Sequence, residues 1–384
     1  MQGDSRTPEA ALGPFGVADD VAVQRGIAEF HAGRPVIVEA VTDRILALPV
    51  DGLTEATWRA FKVLCAPLVP RLVITKRRAR VLGLDVPGPV FLAVSGDDTC
   101  DRIWSLAAGL QYDRRAATGM AGAAAARAID LAKLAQRFPA LLVADARAVA
   151  PELLAQLIAV GGGAVARVHD TILDTLAFVS EARIPVLDGA DARFCVFRDA
   201  IGSNPVAIVL GEPDMSQPVN VRVHSACLTG DVFGSRRCDC GAQLKLAMAQ
   251  LSASGGGIVL YLEQEGRGLG LANKMRAYML QDNGLDTMDA NMMLGFDDDE
   301  RNYAIAGRML KMIGVKRIRL LTNNPDKLEA LADTGVEVCA RVALHTEINP
   351  ENRRYLATKA ARAGHLLADM LEAAAPSTGG TPSP

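Results

Sequence analysis

The chain has 384 residues, 50% of them apolar and 22% charged, with a formal net charge of −3. That length allows a sizeable buried core and two or three domains. The charge balance excludes a chain drawn as a whole to nucleic acid or anionic lipid, so any anion site has to be local. No run approaches the roughly twenty apolar residues of a membrane span. The start, MQGDSRTPEAALGPFG, lacks the basic stretch and apolar run of a signal peptide. The seven cysteines are an odd number and unevenly spread. They suit a reducing compartment better than a disulfide framework, and the expected location is cytoplasmic.

In chain order, residues 1–15 are rich in Gly, Pro and Ala and are expected to be disordered. Residues 16–183, rich in Ala, Leu, Val and Arg, form a first expected domain. Within it, TGMAGAAAARAIDLAKLA carries Arg127, Asp130 and Lys133 and reads as a helix of a soluble protein. The character of the chain changes near residues 180–200, and a second domain is expected over 184–373. PVAIVLGE and PVNVRVHS read as strands, with β-branched residues bounded by Pro and Gly. QLKLAMAQL reads as a helix closed by the SASGGG turn, and GIVLYL as a strand. LANKMRAYMLQDNG is a predicted amphipathic helix ending at Gly284. DDERNYAIAGRMLKMIG is a further predicted helix, with acids at its start and Gly314 after its end. KRIRLLTNN reads as a strand, and Asn324-Pro325 opens another helix. The tail, 374–384, has no apolar periodicity and is expected to be disordered. The alternation predicts an α/β (mixed α+β) fold in two domains, with sites at strand ends and helix starts.

Three cysteines stand within one short segment as C-x10-C-x-C: Cys227, Cys238 and Cys240. Three thiolates bind Zn²⁺ and leave one tetrahedral position for water, the pattern of a catalytic rather than a structural site. Such a zinc lowers the pKa of its water to about 7. A structural zinc with His224 as fourth ligand is the rival reading, although the RVHS segment reads as a strand end directed toward the loop. Buried cysteines often act as plain hydrophobes, but these three are flanked by Asp231, Arg236, Arg237 and Asp239.

Further on, EQEGRGLGLANK joins a strand to a helix, and its glycines, helix start and Arg267 suit an anion. In DDDER, Asp297 and Asp298 read as acids that satisfy a helix dipole. Asp299 and Arg301 converge on a ligand only if Asp299 is still in the loop. TNNPDK, from Thr322 to Lys327, is a second strand-to-helix turn, readable as a cap or as an anion cradle. A metal centre together with basic groups at such junctions suits a zinc hydrolase acting on a phosphorylated substrate.

The succession RVHSACLTGDVFGSRRCDCG, EQEGRGLGLANKMRAYMLQD, LDTMDAN, LGFDDDERNY, LLTNNPDK and RRYLATKAARAGHLL closely resembles GTP cyclohydrolase II over residues 185–370. The resemblance implies opening of the guanine imidazole ring, loss of C8 as formate and release of pyrophosphate, the first step of riboflavin synthesis. It implies Cys227, Cys238 and Cys240 as zinc ligands. It implies Asp299 as proton acceptor, Arg301 at the α-phosphorus and Tyr278 as an aid to ring opening. A permanently protonated arginine is a poor nucleophile, so electrostatic stabilisation is the easier role for Arg301. The GTP contacts it implies are Arg222, Val223, His224, Ser225, Ala226, Gln243, Glu265, Gly266, Arg267, Thr287, Thr322 and Lys327. Mg²⁺ with the triphosphate and a homodimer are implied too, with no nucleic-acid or membrane partner.

Two positions depart from the family's usual pattern: Ala226 replaces a glutamate and Glu263 an arginine. Full activity stays the expectation, with reduced or altered ring opening left open by these positions; the alternative is a non-catalytic or partially active GTP-binding regulatory homologue with a structural zinc. A zinc nucleobase deaminase would need an H-x-E and P-C-x-x-C pattern, which differs from this spacing. In the first half, IAEFHAGRPVIVEAVTDRILALPV and AATGMAGAAAARAIDLA resemble 3,4-dihydroxy-2-butanone 4-phosphate synthase. Where that family has an acidic metal loop, the chain reads EAVTDRILAL, so this half is expected to be catalytically silent.

Overall fold

The structure is a computed structural model that describes residues 17–110, 117–186, 190–362, 364 and 366–367. The expectations for 1–15 and 374–384 lie outside these residues. Packing divides the chain into two compact units. The first is Met1–Asp174 with Gly268–Leu285 and Asp289–Glu300; the second is Thr175–Arg267 with Asp286–Met288 and Arg301–Pro384. Each contains a seven-stranded sheet, and the fold is mixed α/β as the alternation predicts.

In the first unit the strands are β1 (Val36–Glu39), β2 (Arg44–Pro49), β3 (Arg71–Ile74), β4 (Val90–Leu92), β5 (Ala117–Met120), β6 (Ala140–Asp145) and β7 (Ala159–Gly161). They lie in the order β5-β4-β3-β6-β2-β1-β7, antiparallel except for the β1–β7 pair. The helices are α1 (Ala18–His31), α2 (Glu55–Cys65), α3 (Lys76–Val81), α4 (Cys100–Ala108), α5 (Ala123–Leu134), α6 (Pro151–Leu154) and α7 (Gly162–Thr175). Helix α5 is the predicted Ala-rich helix. Its Ala124, Ala125, Ala128 and Ala132 are fully buried, because a methyl side chain lets the backbone lie close to β1, β2 and β6. Its first turn is held by the Asp43 carboxylate, which accepts from Ala124 N at 3.1 Å.

In the second unit the strands are β8 (Ala177–Val186), β9 (Ala190–Arg198), β10 (Val206–Gly211), β11 (Val219–Ser225), β12 (Gly256–Leu262), β13 (Arg317–Leu321) and β14 (Glu337–Val342). Their order is β14-β13-β11-β12-β10-β9-β8. The β14-β13-β11-β12 part is parallel and the rest antiparallel. The later helices of the chain are α8 (Cys240–Ala253), α9 (Leu271–Asp282), α10 (Thr287–Met293), α11 (Ala304–Met312), α12 (Asp326–Ala332) and α13 (Arg353–Arg362). A core of Ile208, Leu210, Ala247, Leu251, Val259, Leu321 and Leu344 joins α8 to this sheet.

Helix α9 and residues 289–300 pack with the first unit because their apolar side chains complete its core. Leu269, Ala277, Leu280, Ala290, Leu294 and Phe296 join Trp58, Leu72, Ile74 and Phe138 there. The Phe138 ring meets Trp104 at 5.0 Å and Phe296 edge-on at 6.5 Å. On α9, Arg276 pairs with the buried Asp51, and Asn273 donates to Gln136 O at 3.2 Å.

One predicted boundary is corrected. The helix expected to begin among the acids of DDDER begins only at Ala304, and Asp297 to Tyr303 is irregular. Asp297 does not serve a helix dipole, because cations claim it: Arg77 Nε donates at 2.9 Å and Lys133 Nζ at 3.2 Å. Asn302 instead opens the helix, accepting from Ala304 N at 2.9 Å.

Burial acts to raise the Asp297 pKa, but the hydrogen bond from Arg77 and the charge of Lys133 outweigh it and hold the group below its ordinary 3.8. A lowered folded-state pKa stabilises the fold above the unfolded value, and that contribution fades as pH falls through the folded value. Asp297→Asn should therefore lower the denaturant midpoint at pH 7, with the gap to wild type closing below about pH 3.8. Unfolding curves of both proteins across pH check this.

Candidate metal centre and surrounding site

Because β13, β11 and β12 are adjacent and parallel, their carboxyl ends share one edge of the sheet, where ligands gather in α/β folds. Three loops leave that edge. The cysteine loop follows β11, Glu263 to Arg267 follows β12, and Thr322 to Pro325 follows β13. Hydrogen bonds lace them together. Glu265 accepts from Leu228 N at 2.6 Å, Lys327 Nζ donates to Val223 O at 2.9 Å, and Arg222 donates to Leu321 O at 3.0 Å.

The sulphur atoms of Cys227, Cys238 and Cys240 lie within 4.8 Å of one another. Cys227 and Cys238 are buried, with their sulphurs 3.7 Å apart. Among the described residues this is the one such group of potential metal donors, and it contains no histidine. Contact with Cys227 raises the Cys238 pKa, and contact with Cys227 and Cys238 raises that of Cys240 well above the ordinary thiol value. A chain turn of π type, Leu228–Val232, brings Gly230 against the cluster. A Cβ at Gly230 would meet the Cys238 sulphur at 2.9 Å, the Cys227 sulphur at 3.0 Å and Cys240 Cβ at 3.1 Å. One at Gly241 would overlap the Gly230 carbonyl. Both glycines are there for close approach.

Two buried carboxylates hold the loop. Asp231 accepts from His224 Nε2 at 3.1 Å, Tyr261 Oη at 3.0 Å and Cys227 N at 2.9 Å. His224 stacks on Tyr261 with ring centres 5.5 Å apart. Burial lowers the His224 pKa against the pull of Asp231, which favours the neutral ring. Asp239 accepts from Lys359 Nζ at 2.8 Å and from Gln243 Nε2 at 2.5 Å, and Arg222 donates to Gln243 Oε1 at 2.6 Å. Burial works to raise the Asp239 pKa, but the charge of Lys359 outweighs it and the group stays ionised.

The remaining residues singled out in the sequence divide between the units. Lys327 and Arg301 lie against the Tyr303 ring at 5.2 and 5.3 Å, and Thr322 accepts from Asn324 N at 3.0 Å inside its own turn. Arg267 adopts the left-handed region with φ 64°, following Gly266 at φ 63°, and contacts Met288 beside Thr287. Ala226 N donates to Leu262 O at 2.8 Å. His224 Nδ1 and Ser225 Oγ are buried without a hydrogen bond to the protein. Glu263 is exposed and accepts from Asn204 N at 3.2 Å. Tyr278 on α9 and Asp299 belong to the first unit. Asp299 is indeed in a loop, the condition set by its spacing from Arg301.

Gly230, Asp231, Tyr261, Asp239 and Lys359 were missed as supporting residues. The two aspartates flank the cysteines and were visible there. Lys359 stands 120 residues from Asp239, and no local pattern joins them.

The fold and the site define an α/β protein with a three-thiol centre at the carboxyl edge of parallel strands. Residues 177–343 match the family model described as GTP cyclohydrolase II. A protein named GTP cyclohydrolase-2 from Azospirillum brasilense is 40% identical over 381 residues, covering 95% of this chain and 98% of the relative. One of the same name from Xylella fastidiosa (strain 9a5c) is 39% identical over 368 residues, covering 92% and 89%. Another, from Pseudomonas syringae pv. tomato, is 50% identical over 192 residues, which is half of this chain and 94% of that one. The chain belongs to the GTP cyclohydrolase II family. A solved structure described as RibBX, a two domain 3,4-dihydroxy-2-butanone 4-phosphate synthase from A. baumannii, covers 85% of this chain and 99% of its own. Its identity is 16% and its TM-score 0.30. No helix among the described residues is long and apolar enough to cross a membrane.

Asp231→Ala would leave a ring nitrogen, a hydroxyl and a backbone N–H buried without their acceptor. Each such loss costs about 1–3 kcal/mol, so a destabilisation of at least ~3 kcal/mol is expected in denaturant titration.

Proposed function

We propose that the protein is a zinc-dependent GTP cyclohydrolase II. It hydrolyses GTP to the diaminopyrimidinone ribosyl monophosphate, formate and pyrophosphate, at the head of riboflavin synthesis. The observation that carries this reading is the convergence of three sulphurs at the strand edge that also presents Arg222, Arg267, Arg301 and Lys327. The sulphurs suit zinc: Zn–S bonds of about 2.3 Å in a tetrahedron place sulphurs about 3.8 Å apart, and Cys227 and Cys238 stand at 3.7 Å. The neighbouring rival donors are engaged elsewhere: His224, Tyr261 and Cys227 N donate to Asp231, and Lys359 and Gln243 to Asp239. That favours a three-ligand site open to substrate over a closed structural one. Zinc held there would supply Lewis acidity and an activated water for hydrolysis.

The chain's own groups bind and steer the nucleotide. His224 Nδ1 and Ser225 Oγ, buried with hydrogen-bonding capacity to spare, meet polar atoms of the base beside the cysteines. Val223, Ala226, Gln243, Glu265, Gly266 and Thr287 complete the GTP contacts, and Arg222 and Gln243 also brace the loop. Arg267, Thr322 and Lys327 hold the triphosphate, whose charge Mg²⁺ shares. Arg301 stabilises charge developing at the α-phosphate. Asp299 takes up the proton, and Tyr278 assists ring opening. Glu263 accepts from Asn204 N in the turn between β9 and β10, which directs its carboxylate to that turn. A cytoplasmic homodimer completes this reading.

With GTP, Zn²⁺ and Mg²⁺, the protein should release formate and pyrophosphate in equal amounts. Gly230→Ala, which pushes a methyl group into the sulphurs, should lower both zinc per chain and turnover at least about tenfold. GTP binding without formate would replace the enzyme by the regulator. We infer also that residues 16–183 make no butanone phosphate. Incubation with ribulose 5-phosphate should leave it unchanged, and detection of that product would refute the inference.

A further inference from the structure

The irregular stretch from Asp297 to Tyr303 carries Asp299, yet it has no helix or strand to hold it. Its first part is held by cations from the first half of the chain, while Gln264 Nε2 donates to Asn302 O further on at 2.8 Å. Lys133 on α5 donates to Glu300 Oε1 at 2.6 Å and to Asp297 Oδ2 at 3.2 Å. Arg77 on α3 donates to Asp297 Oδ1 at 2.9 Å and stands 3.9 Å from Asp298. Glu300 Oε1 also accepts from Asp297 N at 2.8 Å, closing the loop on itself. On another side the backbone of Glu300 rests on Gly268, where a Cβ would meet its carbonyl at 2.9 Å. The side chains of Lys133 and Glu300 are only 19% and 18% exposed, so their attraction is poorly screened. Asp299 is bracketed by residues that are all pinned.

We propose that Lys133 and Arg77 are positioning residues for Asp299, and that the first half of the chain serves the reaction through them. This rests on the reading of Asp299 as proton acceptor. Asp297 and Glu300 fix the backbone on either side of Asp299, leaving little freedom for its carboxylate to drift from the reacting atoms. A misplacement of about 1 Å costs up to about a hundredfold in rate. Neither cation is assigned a contact with the nucleotide, so their loss should appear in kcat and not in KM.

The test compares Lys133→Met, Lys133→Arg, Arg77→Met and Asp299→Asn in the full-length zinc-loaded protein. Formate release is measured with GTP, and backbone amide exchange is followed over 297–303 and 227–240. Lys133→Met should lower kcat about tenfold or more with KM within about threefold. It should speed exchange at 297–303 about tenfold and leave 227–240 unchanged. Lys133→Arg should restore most of both, and Arg77→Met should give a smaller loss of the same kind. Unchanged exchange at 297–303 in both methionine variants, or a wild-type kcat in Lys133→Met beside an inactive Asp299→Asn, overturns the proposal. A wild-type kcat in Asp299→Asn overturns the role of Asp299 and the positioning claim with it. The exchange data would still report whether the clamp itself exists.

Discussion

Three sulphur atoms within 4.8 Å of one another are the constraint on which the rest of the second unit depends. Thiols packed this closely disturb one another: contact with Cys227 raises the pKa of Cys238, and contact with Cys227 and Cys238 raises that of Cys240. Only backbone without a side chain can pass beside them, which explains Gly230, and Gly241 in turn leaves room for the Gly230 carbonyl. The turn that carries Gly230 is held in turn by Asp231, and the Cys238–Cys240 end of the loop by Asp239. The two carboxylates are not part of the thiol group. They fix the backbone that brings the thiols together, and each is satisfied by several donors, as a buried charge must be.

The same strand edge concentrates positive charge in a chain whose net charge is −3. Arg222, Lys327 and Lys359 are all buried, and each has an acceptor: a carbonyl and an amide for Arg222, a carbonyl for Lys327, a carboxylate for Lys359. Burial disfavours a charged Arg222, so its place at the base of the loops is tolerable only because those acceptors are fixed. Lys327 and Arg301 both lie over the Tyr303 ring, at 5.2 and 5.3 Å from its centre.

The first half of the chain has a core that would be incomplete without later residues. Leu269, Ala277, Leu280, Leu294 and Phe296 fill it, and Arg276 meets Asp51 there. Apolar burial of this size dominates local preference, so segments close in sequence to the cysteine loop become part of the other compact unit. The acids of DDDER show the same competition on a smaller scale. Helix-start electrostatics are worth a few tenths to one kcal/mol, and two partly buried cations claim Asp297 instead.

Much was legible beforehand. Strands β10 to β13 and helices α5, α8 and α9 follow from period, glycine and proline, because those signals are local. The cysteine cluster and the family were readable from spacing and motif order. The partnership of Asp239 with Lys359, of Asp231 with Tyr261, and of Lys133 with Glu300 was not, because each joins residues far apart in sequence. By itself the sequence determined which groups the protein possesses and which family it belongs to. The tertiary structure alone decided which acid meets which base, since ion pairs and close packing depend on distances that only the folded chain sets.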